Sequence, residues 1–173
     1  MNLIADVVEL ELARSGVTTA RNNPAYDLQT VVSDANGQNA DVYVAIRSVY
    51  CDAGVQGSKV FYYRPATNSQ RLAEDIYARL SLVTPTEDRG LSEGQSAYGG
   101  LGYYELRRTR MPAVIVEVGC HSNPQEADFI IRHVYELGVA IAQGILDYFG
   151  LPYLAPSPEE QERLKNEYNS VYL

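Results

Sequence analysis

The pattern of apolar and polar positions along the chain predicts alternating helices and strands. Leu3, Val7 and Leu12 lie at helical spacing and give one apolar face to a helix over residues 2–15, which Gly16 would end. The other predicted elements are strands over residues 42–49, 59–63 and 113–118, helices over 68–81, 123–131 and 135–149, and a long polar loop over 85–102. Because helices and strands alternate, we expect an α/β fold: a mostly parallel sheet flanked by helices on both faces.

The end of the chain predicts one more helix. Ser157-Pro-Glu-Glu160 forms a capping box with Pro in the first turn, and Leu164 and Tyr168 follow at helical spacing. We therefore expect a single α/β domain over residues 1–150 and an amphipathic helical extension over residues 151–173. Two alternatives are open for this extra helix: it docks on apolar surface within the chain, or it forms a homodimer with a second copy.

Length and charge exclude several classes of protein. A chain of 173 residues suits one domain with a real core. The 14 basic and 22 acidic residues give a net charge of -8, which argues against a nucleic-acid partner, since phosphate contacts need clustered Lys and Arg. The sequence shows neither a signal-peptide pattern nor an apolar run of about 20 residues, so we expect no membrane span.

One carboxylate stands out because it interrupts an apolar strand. Glu117 lies inside the β-branched run of residues 113–118, which is followed by a polar turn. Since a central parallel strand is buried on both faces, this carboxylate must be paired, bound to a metal, or part of a site at the carboxyl end of the strand. A nearby arginine would satisfy it equally well, so a purely structural interpretation is also open.

Several short motifs follow one another along the chain. They are Gly16-Val-Thr-Thr-Ala-Arg21, Ala35-Asn36, Ala40-Asp-Val-Tyr-Val-Ala-Ile-Arg47, Gly57-Ser-Lys-Val-Phe-Tyr-Tyr63, Ser69-Gln-Arg-Leu-Ala73, Arg89-Gly90 and Leu106-Arg-Arg-Thr-Arg-Met-Pro112. In this order, over residues 2–149, they resemble the zinc-dependent N-acetylmuramoyl-L-alanine amidases, which cut peptidoglycan between sugar and peptide stem. The resemblance implies the family's fold, a strand over residues 17–21, and peptidoglycan or a muropeptide as partner. It also implies a protein of the cell wall or of a phage.

The resemblance also implies a zinc site, from which this sequence departs. Family members bind one zinc through a His on the first strand, a Glu that opens the first helix, and a second His. The first two would lie upstream of Met1, and Arg47 stands where the second His is expected. A guanidinium offers no lone pair to a metal. We therefore expect no cofactor for the chain as written, although zinc is the cofactor of the family.

The retained residue is Glu117, which the resemblance identifies as the catalytic general base and acid. We expect an amidase-like protein of peptidoglycan hydrolysis whose catalysis is impaired; the alternative is a pseudoenzyme that binds muropeptides or regulates a partner. We hypothesise that Arg47 pairs with Glu117 in place of the metal. Asn123, Tyr98 and Tyr103 are further candidates to line the site, the tyrosines because sugar rings stack on aromatic side chains.

The two cysteines lie just beyond neighbouring predicted strands. Cys51 follows the strand that ends near Arg47, and Cys120-His121 follows the strand that holds Glu117. Three interpretations are open: buried free cysteines, a disulfide if the strands are neighbours, or a soft zinc cluster of Cys51, Cys120 and His121.

Overall fold

The structure, a computed structural model, describes residues 1–52, 54–63, 66–84, 89–94, 100 and 102–171. Within these residues the chain forms seven helices and four strands. The helices are α1 (Asn2–Arg14), α2 (Leu28–Gly37), α3 (Thr67–Leu80), α4 (Tyr104–Arg108), α5 (Pro124–Arg132), α6 (Val134–Phe149) and α7 (Pro158–Asn169). The strands are β1 (Tyr43–Val49), β2 (Lys59–Tyr62), β3 (Leu91–Ser92) and β4 (Ala113–Cys120).

The four strands form one sheet in the order β1, β4, β2, β3. The inner strand β4 runs parallel to β1 and antiparallel to β2, and β2 and β3 are parallel to each other. Every residue of β4 is buried, which explains why its sequence is apolar apart from Glu117 and the last two residues, Gly119 and Cys120. The predicted α/β fold with a mostly parallel sheet is confirmed.

Alternate side chains of β4 point to opposite faces of the sheet. Val114 and Val116 belong to the larger core, to which α1, α3 and α6 contribute. Ile115 points the other way, into a smaller cluster with Leu106 of α4. Glu117, two residues after Ile115, therefore lies on this second side, which we call the Glu117 face. Helices cover both faces, as predicted.

Two glycines of α6 let the neighbouring helices approach its backbone closely. A Cβ atom at Gly144 would lie 2.8 Å from the backbone nitrogen of Ile76 and 2.9 Å from the carbonyl oxygen of Asp75, both in α3. A Cβ atom at Gly138 would lie 3.0 Å from the carbonyl oxygen of Ile4 in α1. Any side chain at these positions would push the helices apart, so the two glycines fix how α6 packs in the larger core.

The C-terminal helix α7 docks within the same chain. Leu164 is buried in the larger core, and Arg14 of α1 donates hydrogen bonds to both carboxylate oxygens of Glu160 at 3.2 and 2.9 Å. The hydroxyl of Ser157 accepts a hydrogen bond from the backbone N–H of Glu160 at 3.2 Å, which forms the predicted N-cap. Of the two alternatives for this helix, the structure shows docking within the chain.

Residues 17–21 do not form the strand that the resemblance implies. Most of this segment is exposed, and the guanidinium of Arg21 reaches back to the carboxylates of Asp6 and Glu9 on α1. A strand needs a neighbour to pair its backbone groups. Among the described residues this segment pairs with none, so it runs as coil along α1.

No single helix in the described part of the chain is both long and apolar enough to cross a membrane. Helices α5 and α6 pass this test only when taken together, and they are bent by 76° at their junction. In the structure, α6 places its buried positions in the larger core.

Candidate functional site

A row of charged side chains crosses three strands on the Glu117 face. Arg47 on β1 and Lys59 on β2 are the register partners of Glu117 on β4, one on each side. Directly paired residues of neighbouring strands point to the same face, about 5 Å apart at their Cβ atoms. The sheet therefore places one carboxylate between two cationic side chains.

Glu117 is held by an arginine from outside the sheet. Its side chain is 6% exposed, and its Oε2 accepts a hydrogen bond of 2.9 Å from Nη2 of Arg89. The Nε of Arg89 donates to the carbonyl oxygen of Gly57 at 2.9 Å, which fixes the guanidinium in place. The carboxylate is thus satisfied by a nearby arginine, as the structural interpretation of this residue required.

The hypothesised pair between Arg47 and Glu117 is wrong. Nη2 of Arg47 donates instead to Oε1 of Glu105, whose side chain is 2% exposed. The reason is α4, which carries Glu105 over the Glu117 face and offers Arg47 a second carboxylate. Glu105 and Glu117 are therefore each paired with a different arginine.

Aromatic rings lie beside the charged row. Tyr103, the residue before α4, packs on Phe61 with 5.0 Å between ring centroids. The guanidinium of Arg47 lies 5.8 Å from the centre of the Tyr103 ring, and the ammonium of Lys59 lies 4.9 Å from that of Phe61. Tyr103 is thus next to the site, as predicted, whereas Tyr98 lies outside the described residues.

The two cysteines form a disulfide that joins the end of β4 to the segment after β1. Their Cα atoms are 5.5 Å apart, because β1 and β4 are neighbours. Bonded sulfurs are not thiolates, so the suggested zinc cluster of Cys51, Cys120 and His121 is wrong, as is the free-cysteine interpretation. His121 places its Nδ1 3.1 Å from the hydroxyl oxygen of Ser48. The disulfide interpretation is confirmed.

Asn123 begins α5 just beyond the site strand. Its side-chain oxygen accepts a hydrogen bond of 3.0 Å from the backbone N–H of Gln125, which makes it the N-cap of the helix. One turn later, the buried carboxylate of Glu126 accepts hydrogen bonds from the backbone N–H groups of Gly57 and, at 2.7 Å, Cys120. These contacts tie the end of β4 to the loop before β2. Whether Asn123 also touches a ligand stays a prediction.

Sequence reasoning missed three residues that shape this site: Lys59, Arg89 and Glu105. Lys59 could have been found, because it alternates with Phe61 along a predicted strand and so shares its face. Arg89 lies in a predicted loop with no periodicity, and Glu105 lies on a helix of only five residues. Neither position carries a pattern that places its side chain against a particular strand.

The described residues do not fit the zinc of the family. No group of three or more His, Cys, Asp or Glu side chains within the described ranges could hold a metal ion. On the charged row, Arg47 and Lys59 flank the carboxylate with cations, which repel a metal and offer it no lone pair at neutral pH. The chemistry that these side chains support is the binding of anionic or polar groups.

Known proteins resemble this chain over most of its length. LytC, an N-acetylmuramoyl-L-alanine amidase of Bacillus subtilis, is 30% identical over 154 residues, which cover 84% of this chain and 30% of LytC. The chain therefore spans less than a third of that relative. Another relative, the probable cell wall amidase LytH of Staphylococcus saprophyticus, is 28% identical over 145 residues, covering 81% of this chain and 45% of LytH.

Solved amidase structures share the fold. The amidase AmiC2 of Nostoc punctiforme superimposes with a TM-score of 0.74 at 26% identity, over 86% of this chain and 81% of that one. The catalytic domain of CwlV from Paenibacillus polymyxa gives 0.74 at 27% identity, over 87% and 84%. The family model described as N-acetylmuramoyl-L-alanine amidase matches residues 3–147. The chain belongs to the N-acetylmuramoyl-L-alanine amidase family.

Proposed function

We propose that this chain is an amidase-like protein that binds peptidoglycan fragments and cleaves the amide between N-acetylmuramic acid and L-alanine weakly or not at all. The observation that carries the proposal is Arg47. It stands where the family resemblance expects a zinc-binding His, and its guanidinium is held against the ring of Tyr103 and the carboxylate of Glu105. These contacts hold a cationic side chain at position 47, where a metal ligand would otherwise stand.

The missing ligand bears directly on the family's chemistry. A zinc-bound water has a pKa near 7, whereas free water has a pKa of about 15.7. Without a metal, a carboxylate base such as Glu117 has a far weaker nucleophile to activate. Glu117 is also held by Arg89, whose guanidinium occupies one of its two carboxylate oxygens. Both features favour binding over hydrolysis.

The binding half of the proposal rests on the family and on the site's surroundings. Membership in the amidase family supports peptidoglycan as the material recognised. Tyr103 offers an aromatic ring beside the charged row, suited to a sugar, and we include Tyr98 as a second candidate for the same contact. We also infer that residues 1–150 form the amidase-like domain and that residues 151–173 brace it. The match to the family model, which ends at residue 147, supports this division.

The experiment measures binding, zinc content and amide cleavage on the same purified sample. Co-sedimentation with insoluble peptidoglycan reports binding, elemental analysis reports zinc, and chromatography of released peptides reports cleavage, with an active amidase as the positive control. We expect binding without stoichiometric zinc and without release. Release that disappears in Glu117→Gln would instead show a working enzyme, and failure to co-sediment would overturn the binding half.

A variant tests the role assigned to Arg47. Arg47→His restores an imidazole at the position where the resemblance expects a ligand, and Arg79→His places the same side chain at an exposed arginine on α3. If the guanidinium is what excludes the metal, zinc affinity should rise in Arg47→His and stay unchanged in Arg79→His. Equal zinc affinity in the two variants would contradict that role.

A further inference from the structure

Three cationic side chains converge on the Glu117 face; we call Arg47, Lys59 and Arg89 the cation row. Arg47 and Lys59 flank Glu117 in register, on strands about 5 Å to either side of β4. Arg89 reaches Glu117 from the loop before β3 and is fixed by its bond to Gly57. The strand register thus places Arg47 and Lys59 on either side of Glu117, and hydrogen bonds hold Arg89 against the same carboxylate.

The two carboxylates paired with these cations are more deeply buried than Arg47. The side chains of Glu105 and Glu117 are 2% and 6% exposed, whereas that of Arg47 is 36% exposed. Glu105 and Glu117 pair with Arg47 and Arg89, which leaves the ammonium of Lys59 on this face without a paired carboxylate among the described residues. A molecule that approaches this face meets an excess of positive charge, although the chain as a whole carries -8.

Lys59 supplies the excess charge. In the described part of the chain it forms no ion pair, and its ammonium lies 4.9 Å from the centre of the Phe61 ring. The other lysine of the sequence, Lys165, lies 3.6 Å from a carboxylate oxygen of Glu136. An ammonium carries three hydrogen-bond donors. Those of Lys59 are available for an acceptor that a ligand brings.

We propose that the cation row binds the free carboxylate on the lactyl group of N-acetylmuramic acid. This inference rests on the proposed function, because it identifies which part of peptidoglycan the site recognises. In intact peptidoglycan that carboxyl is joined to L-alanine as a neutral amide, and after amide cleavage it is an anion. Guanidinium and ammonium groups form much stronger hydrogen bonds with a charged carboxylate than with the neutral carbonyl of an amide. The site therefore selects glycan from which the peptide has already been removed.

The neighbouring rings suit the rest of that ligand. Tyr103 packs against the buried Phe61 and lies beside Arg47, so its half-buried ring gives apolar surface next to the cations. A sugar has an apolar ring face with polar edges, so a muramic acid can place its carboxylate on the row and its ring towards Tyr103. The pairing of charge and aromatic surface favours a charged sugar over a free peptide.

The first test compares ligands by isothermal titration calorimetry on the wild-type chain. The probes are N-acetylmuramic acid, the same sugar with its carboxyl converted to a carboxamide, and the dipeptide L-alanyl-D-glutamate, which carries stem carboxylates without a sugar. We expect the acid to bind about tenfold tighter than the carboxamide, the size of effect that one charge-assisted hydrogen bond supplies.

Equal binding of acid and carboxamide overturns the carboxylate site but leaves peptidoglycan binding intact. If the dipeptide binds as tightly as the acid, the carboxylate that the row recognises is not specifically that of the lactyl group, and the proposal is overturned. Failure of both sugars to bind, combined with failure to co-sediment with peptidoglycan, overturns the proposed function as well.

The second test uses the fact that the sequence has only two lysines. Reductive ¹³C-methylation labels Lys59, Lys165 and the terminal amine, and NMR follows each signal while N-acetylmuramic acid is added. The Lys59 signal should shift with the ligand and the Lys165 signal should not. Lys59→Met, which keeps the apolar stem, should lose the tenfold preference for the acid, and Lys165→Met should keep it. A Lys59 signal that stays in place at saturation overturns the proposal even if the variant misfolds.

Discussion

Arg89 pairs with the carboxylate of Glu117 and also donates a hydrogen bond to the loop at Gly57. Removal of its guanidinium leaves a nearly buried carboxylate without its cation, which is the costly way to break an ion pair. We expect Arg89→Met to lower the free energy of unfolding by about 2 kcal/mol, less than for a fully buried pair because Arg89 is itself partly exposed. Arg163→Met, which breaks an exposed pair with Glu167, should cost less than about 0.5 kcal/mol. Urea unfolding of both variants measures the difference, and equal losses would show that the Arg89 pair adds no stability.

At this scale, the sequence indicated which residues were unusual but not which would meet. Glu117 stood out as a charge inside an apolar strand, and Arg47 was correctly placed on the neighbouring strand. The prediction that these two residues pair with each other was wrong, because their actual partners come from a loop and a short helix. Arg89 and Glu105 reach the sheet from segments without periodicity, so only the folded chain brings them to their arginine or carboxylate partners.

Gly144 sets the distance between α3 and α6. Since a Cβ atom there would collide with backbone atoms of Ile76, which cannot rotate away, the helices would have to separate. We expect Gly144→Ala to lower the free energy of unfolding by about 3 kcal/mol. Gly37, the last residue of α2, has open space around its Cα, and Gly37→Ala should be neutral or stabilising by up to about 1 kcal/mol. Thermal unfolding followed by circular dichroism separates the two, and a neutral Gly144→Ala would contradict the tight packing.

At the scale of elements, long periodic segments were predictable and short ones were not. Helices α1, α3, α5 and α6 and strands β1, β2 and β4 were predicted within a few residues, because each carries an apolar pattern that matches its period. The two-residue β3 lies inside the predicted polar loop, and α4 spans one turn; neither is long enough to show a period. Helix α2 was also missed, although Asp27 caps it by accepting a hydrogen bond from the N–H of Thr30.

Across the whole molecule, distant parts of the chain meet at one buried carboxylate. Glu11 of α1 accepts hydrogen bonds from the hydroxyls of Tyr135 in α6, at 3.3 Å, and Tyr153 in the segment before α7, at 2.9 Å. Arg14 lies between Glu11 and Glu160 of α7 and pairs with both. The carboxylate thus links the first helix to the C-terminal extension, which is the physical reason that this extension docks on its own chain.

This cluster makes the stability of the whole molecule sensitive to alkali. Burial, together with the neighbouring charge of Glu11, raises the pKa of Tyr135 to about 12 and that of Tyr153 still further. An unfolded tyrosine ionises near pH 10. Because the folded pKa values lie above the unfolded ones, the stabilisation is complete below about pH 10 and is lost as the pH rises towards the folded values. We expect the free energy of unfolding in urea to fall between about pH 10 and about pH 12. Tyr153→Phe should reduce this slope, while Tyr26→Phe, at an exposed tyrosine, should leave it unchanged. If both variants keep the wild-type slope, Tyr153 does not contribute to the alkaline sensitivity, and its hydroxyl ionises in the folded chain as readily as in the unfolded one.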